Sequence, residues 1–128
     1  ERTAAVFRHG LGEALKPLGV TPTQYNVLRI LRGAGATGLC RHEIRDRLVA
    51  QVPDVTRLLD RMEEAELIVR ERDTTDRRLV STRITRAGLQ LLERADRRVR
   101  EVEAEQLGHL GEEQLRTLIH LLELARSR

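Results

Sequence analysis

Two pairs of arginines have the residue type and the spacing to bind a polyanion. Arg57 and Arg61 lie four residues apart, which is about one turn if the segment is helical. Arg77 and Arg78 follow Asp76, whose carboxylate could hold a guanidinium in one pose through a charged hydrogen bond. Because guanidinium groups bond phosphate and guanine edges in a bidentate manner, the chemistry expected of these residues is DNA binding.

The apolar pattern around Arg57 and Arg61 predicts a helix-turn-helix. A short helix is expected over residues 41–49, and a second helix is expected to open at Val52-Pro53-Asp54, with Pro53 in its first turn. The second helix has an apolar stripe on one side and polar residues on the other, as in a helix that enters the major groove.

The segment after this helix has the pattern of a β-hairpin. Residues 67–72 and 79–84 are expected to form short strands, joined by a polar turn. The arginines in and around the hairpin give it a local charge of about +3, and a narrow minor groove attracts an inserted arginine. Arg78 is therefore predicted to enter the groove, and Arg77 to contact phosphate.

Helical spacing of apolar residues predicts further helices on both sides of this region. One covers residues 4–18, and the next begins at the capping box of Thr21-Pro22-Thr23-Gln24 and is stopped by Gly33, Gly35 and Gly38. Thr85 should cap a long helix, and an apolar helix follows Gly111. The positions of the long helix expected to face inward are Leu89, Leu92, Ala95, Val99 and Val102. The apolar last helix needs a partner, which we expect to be a second copy of the chain.

The composition fits one globular domain. The chain has 128 residues, a 40% hydrophobic share and a net charge of +3, and its single cysteine excludes an internal disulfide. The four histidines are scattered, so no metal and no cofactor are expected. No apolar run reaches the length of a membrane span and no signal peptide is visible, which predicts a cytoplasmic protein.

The stretch VTRLLDRMEEAELIVRERDTTDRRLVSTRITRAG, residues 55–88, resembles the MarR family of bacterial regulators. The resemblance implies a mainly α fold with a small β-hairpin, a winged helix-turn-helix. Residues 20–85 would form the DNA-binding lobe, and residues 1–19 and 86–128 would supply dimerisation helices within one domain over 1–128. It implies a homodimer on a palindromic operator in double-stranded DNA, released by a small lipophilic or phenolic effector. The expected DNA-binding residues are Arg41, Pro53, Asp54, Thr56, Arg57, Arg61, Arg72, Asp76, Arg77 and Arg78.

Three residues depart from the family pattern. Glu66 stands where the family usually has glycine, and a left-handed backbone there would cost about 1 kcal/mol. Arg45 replaces a small residue of the short helix, so its side chain must reach solvent or phosphate. Cys40 replaces a serine or threonine cap.

Two alternative functions remain open at this point. Asp54, Asp60, Glu63 and Glu64 dilute the basic character of the second helix, so the charged face could instead dock a protein. Cys40 at a helix start could sense oxidants. An enzyme is not expected, because the sequence shows no nucleophile–base pair, phosphate loop or metal set.

Overall fold

Six α-helices and one β-hairpin make up residues 1–127, the part of the chain that the computed structural model describes. In chain order the elements are α1 (Arg2–Leu15), α2 (Pro22–Ala34), α3 (Arg41–Arg47), α4 (Val55–Glu64), β1 (Ile68–Arg72), β2 (Val80–Ile84), α5 (Arg86–Leu107) and α6 (Glu112–Arg126). Short 3-10 turns lie at Lys16–Leu18 and Gly35–Thr37. This order confirms the predicted fold class.

An aliphatic core lies where α2, α3, α4, the hairpin and α5 meet. Its largest fully buried apolar side chains are Leu15, Leu28, Leu31, Ile44, Leu59, Met62, Ile68 and Leu92. Burying each of them contributes about 1.5–3 kcal/mol, so α3, with seven residues, is held mainly by Ile44 in this core. No helix within residues 1–127 is long and apolar enough to cross a membrane.

Several predicted boundaries are wrong by a few residues. The helix α4 begins at Val55, because the Asp54 side chain accepts a hydrogen bond from the Arg57 backbone N–H at 2.9 Å and caps the helix. Pro53 therefore precedes the cap and is not in the first helical turn. Gly33 does not stop α2, which continues to Ala34 and ends at Gly35, where φ is 67°.

Two further expectations about helices need correction. The helix α3 ends at Arg47, since Leu48 adopts an extended backbone. Leu89 of α5 does not face the core and is exposed, whereas Leu91, Leu92 and Ala95 are buried. The apolar stripe of α5 therefore runs through Leu91, a position that the sequence pattern missed.

Glu66 adopts the left-handed conformation suggested by its departure from the family pattern. Its φ is 62°, and no other described residue except glycine has a positive φ. The backbone turns there from α4 into β1, and Thr85 Oγ1 donates a hydrogen bond to the Glu66 carbonyl at 2.7 Å. A side chain in this conformation costs about 1 kcal/mol, which the surrounding packing offsets.

Asp96 joins α5 to α2 through two hydrogen bonds. Tyr25 Oη donates to Asp96 Oδ1 at 2.5 Å, and Arg32 Nη1 donates to Asp96 Oδ2 at 2.6 Å. Burial raises the pKa of Tyr25 to about 12, with a further contribution from the bond to Asp96. Burial opposes ionisation of Asp96 too, but the hydrogen bonds from Tyr25 and Arg32 outweigh it and hold the pKa of Asp96 below its ordinary value.

Tyr25→Phe tests this junction through the pH dependence of stability. The variant should lose about 1 kcal/mol of unfolding free energy near neutral pH, because Asp96 loses one donor. Tyrosine ionises at about pH 10 in the unfolded chain and near 12 in the folded one. The wild type therefore keeps this stabilisation below pH 10 and loses it as the pH rises toward 12. Urea unfolding from pH 7 to 11.5 measures the difference, and a gap between the two proteins that stays constant with pH would contradict the assignment.

Candidate nucleic-acid interface

The outer face of α4 is largely polar because most of its apolar residues turn inward. Val55, Leu59 and Met62 are buried, whereas Thr56, Arg57, Asp60 and Arg61 are exposed. Pro53, Arg57 and Arg61 line one groove of about 370 Å³ beside the start of α4. The predicted residues of this helix therefore lie together on an exposed surface, as in a helix that enters the major groove of DNA.

The turn between α3 and α4 is braced by polar contacts. Arg41 Nη1 donates to Thr56 Oγ1 at 2.8 Å, which joins the first residue of α3 to the outer face of α4. Asn26 Oδ1 of α2 accepts a hydrogen bond from the Val49 backbone N–H at 2.9 Å. The first of these bonds joins α3 to α4, and the second joins the segment between them to α2.

Asp73 organises the tip of the hairpin, residues 73–79, which we call the wing tip. Its Oδ1 accepts from the Thr75 hydroxyl at 2.7 Å and the Thr75 backbone N–H at 2.8 Å. The Thr75 hydroxyl and the backbone N–H groups of Thr75 and Asp76 hold the pKa of Asp73 below its ordinary value. Asp73 was absent from the predicted site, although an aspartate that begins a polar turn is a recognisable sequence signal.

The arginines of the hairpin have different surroundings. Arg78 Nε donates to Asp76 Oδ1 at 3.1 Å, while the side chain stays 90% exposed, so it is oriented and still accessible. Arg72 Nη1 donates to the Arg77 carbonyl at 2.7 Å, which holds the two sides of the wing tip together. Arg77 itself is exposed.

Arg70 is a further residue that the sequence pattern missed. Its guanidinium contacts Asp60 at 2.6 Å and Glu63 at 2.9 Å, so it joins β1 to α4. The hydrogen bond from Arg70 holds the pKa of Glu63 below its ordinary value, and that from Glu63 raises the pKa of Arg70. The acidic residues of α4 are therefore partly neutralised from the hairpin.

A cleft of about 460 Å³ separates α3 and α4 from the hairpin. Its walls combine apolar side chains with three guanidinium groups. The lining includes Leu59, Leu79, Val80, Arg41, Arg70 and Arg78. Cys40 also lies on this wall, half-buried and directly before α3.

Metal ligands are not clustered in the part of the chain that the structure describes. No group of three or more histidine, cysteine, aspartate or glutamate residues there could hold a metal ion. Arg45 is exposed, as its place on α3 required. The candidate interface described above consists of arginines and their hydrogen-bond partners.

Comparison with known proteins decides the family. A model of the MarR family matches residues 20–80. The HTH-type transcriptional repressor MdtR of Bacillus subtilis is 31% identical over 109 residues, which are 85% of this chain and 69% of that protein. The chain belongs to the MarR family. This confirms the resemblance carried by residues 55–88, and the family is one of transcription regulators, not of enzymes.

Two other MarR-type proteins extend the comparison. The HTH-type transcriptional regulator MhqR of Bacillus subtilis is 34% identical over 74 residues, 58% of this chain, and the match spans half the length of that protein. A MarR variant from E. coli, solved in complex with operator DNA, superposes with a TM-score of 0.86 at 25% identity. The superposition covers 98% of this chain and 89% of the E. coli chain.

Proposed function

We propose that this MarR-family chain is a homodimeric repressor that binds a palindromic operator in double-stranded DNA and is released by a small ligand. The observation that carries the proposal is that exposed arginines lie both on α4 and on the wing tip, two elements that line the same cleft through Thr56 and Arg78. Arg57 and Arg61 are exposed on α4, and Arg78 is held by Asp76 with 90% of its side chain exposed. The E. coli relative complexed with operator DNA supports the same mode of binding.

Each predicted residue has a proposed task in this interface. Arg57 and Arg61 would bond base edges or phosphates in the major groove, where a bidentate arginine–guanine contact is worth about 1–3 kcal/mol of discrimination. Thr56 and Arg41 would act as a hydrogen-bonded pair. Asp54 would act through the helix cap that presents the Arg57 backbone. Pro53 would lie at the edge of the contact.

The wing tip would contact the minor groove. Arg78 would enter the groove in the orientation set by Asp76, and Arg77 would contact phosphate. Arg72 would hold the Arg77 carbonyl and so keep the tip folded. The division of residues 1–19 and 86–128 as stem and residues 20–85 as lobe is part of the same proposal.

Binding to random-sequence duplex DNA tests the DNA-binding part. Affinity should fall steeply as salt rises, by about 0.9 log units per log unit of salt for each phosphate contacted. Arg78→Ala should weaken binding by about 10-fold without lowering the thermal unfolding midpoint. Arg94→Ala, which removes an exposed charge from α5, is the matched control and should keep wild-type affinity. Absence of duplex binding at low salt would refute DNA binding and favour the protein-docking alternative.

Exposed apolar residues on the stem helices support the proposed homodimer. No residue of α6 is buried within the single chain, and Ile119, Leu121, Leu122 and Leu124 are each more than half exposed. A helix with this many exposed large apolar side chains typically lies in an interface. The first helix adds Val6, which is 54% exposed, and its backbone accepts from Gln106 of α5.

Shortening the stem should separate the subunits. A chain that ends after Gly108 should sediment as a monomer, because it lacks α6. Leu122→Glu in the full chain should have the same effect by placing a charge in the interface. Val49→Glu is the matched control, since Val49 is 89% exposed outside the stem, and it should leave the dimer intact. A truncated chain that still sediments as a dimer would contradict the role of α6.

The cleft beside α4 suits the proposed effector. Its apolar wall and its guanidinium groups would accept an aromatic ring with a phenolic or carboxylate group. Since Arg41, Thr56 and Arg78 line it, a bound ligand would touch residues that are proposed to contact DNA. Ligand and operator would then compete for the same side chains.

Release from DNA provides the test with 4-hydroxybenzoate as the probe. Millimolar 4-hydroxybenzoate should lower duplex affinity, measured by fluorescence anisotropy, more than acetate does at the same ionic strength. Val80→Phe should blunt the effect because the larger side chain fills part of the cleft. Equal effects of 4-hydroxybenzoate and acetate would contradict both this cleft and this ligand class. They would not affect the proposal of DNA binding, which has a separate test.

A further inference from the structure

Arg70 connects the hairpin to α4 at three points. Its Nη2 donates to Asp60 Oδ1 and Glu63 Oε1, and its backbone N–H donates to Glu63 Oε2 at 3.1 Å. Asp60 and Glu63 are three residues apart and so lie on the same side of the helix, within reach of one guanidinium. We call this arrangement the Arg70 clamp.

The Arg70 clamp holds the β1 edge of the hairpin. At the same level of the hairpin, a second set of contacts holds the β2 edge. In the strand register Arg70 is opposite Thr82, which is 1% exposed. Thr82 exchanges two backbone hydrogen bonds with Leu39, at 2.7 and 2.9 Å. One row therefore crosses the segment before α3, both strands and α4.

The wing tip projects beyond this row. Only two further strand pairs follow it, Glu71 with Ser81 and Arg72 with Val80, before the turn begins. The direction in which the wing tip projects is therefore set by these contacts. Leu39 holds β2, and the Arg70 clamp holds β1.

The Arg70 guanidinium is poorly placed to bind DNA itself. Its side chain is 22% exposed and is bonded to two carboxylates, whereas that of Arg78 is 90% exposed. One guanidinium and two carboxylates sum to a charge of −1, which does not attract phosphate. The pKa shifts of Arg70 and Glu63 favour the charged forms of these two side chains.

We propose that Arg70 is a positioning residue, whose clamp on Asp60 and Glu63 fixes the wing tip relative to α4 so that both surfaces reach adjacent grooves of one duplex. The inference rests on the proposed DNA-binding function and assigns to it a residue outside the predicted contact set. Arg70 acts through the wing tip, so its effect on binding depends on the wing contact being present.

A double-mutant cycle between Arg70 and Arg78 tests this dependence. The probe is the tightest-binding 30-base-pair duplex selected from a random library by the wild-type protein. Arg70→Met should weaken binding by about 10-fold, and Arg70→Lys should weaken it less because it retains one ion pair. In the Arg78→Ala background Arg70→Met should add less than about 2-fold, since neighbouring groups that act together are not additive. Two effects that multiply would overturn the proposal.

A triple substitution separates positioning from charge neutralisation. The triple variant combines Asp60→Asn, Glu63→Gln and Arg70→Met. It lacks the clamp and leaves neither carboxylate of the clamp unpaired. Affinity should remain below that of the wild type, and recovery to the wild-type value would show that Arg70 only neutralises the acids. Arg83→Met is the matched control, because Arg83 pairs with Glu71 within the hairpin and does not reach α4.

A distance measured without DNA tests the clamp directly. Spin labels are placed at Thr74→Cys and Glu64→Cys, both exposed positions, in a Cys40→Ser background, with unlabelled chain in excess so that one pair is observed. Arg70→Met should broaden or shift the distance distribution, and Arg83→Met should not. An unchanged distribution with Arg70→Met would overturn the clamp. A wild-type protein that binds no duplex, with a distance that still responds to Arg70→Met, would refute DNA binding and retain the clamp.

Discussion

The pair of backbone hydrogen bonds between Leu39 and Thr82 is the contact on which the interface depends most. A two-stranded hairpin alone is marginally stable in water. Leu39 gives this hairpin a third, short partner, and the buried Thr82 joins it to the core. With β2 fixed in this way, β1 can present Arg70 to α4, and the wing tip can project as a folded unit with Asp73 at its centre.

Local sequence signals predicted most of the secondary structure. The capping box at Thr21 forms as expected, with both hydrogen bonds at 3.1 Å. The departure of Glu66 from the family pattern marked the position where a left-handed backbone would be costly, and the structure has that backbone there. The end of α2 was misplaced because Gly33 is tolerated within this helix, while the chain turns at Gly35. Such errors arise where a weak local preference competes with packing.

Long-range contacts were beyond the reach of these signals. Arg70 and Asp60 are ten residues apart on different elements, and Tyr25 and Asp96 are 71 apart. No periodicity connects such residues, because their proximity follows from how the elements pack. The predicted DNA-binding residues were found because each lies on a local motif, and their contact with DNA stays a prediction. The family itself is confirmed by the comparisons.

Asp96 has a consequence for the geometry of a dimer. Its two carboxylate oxygens hold Tyr25 and Arg32, so α2 cannot rotate on α5 without breaking two hydrogen bonds to a charged group. The lobe and α5 then behave as one rigid unit. In a two-fold dimer the separation of the two α4 helices would be set at the opposite end of this rigid unit, where the stem helices of the two subunits meet. Spacing between operator half-sites would therefore be encoded in residues that never approach DNA.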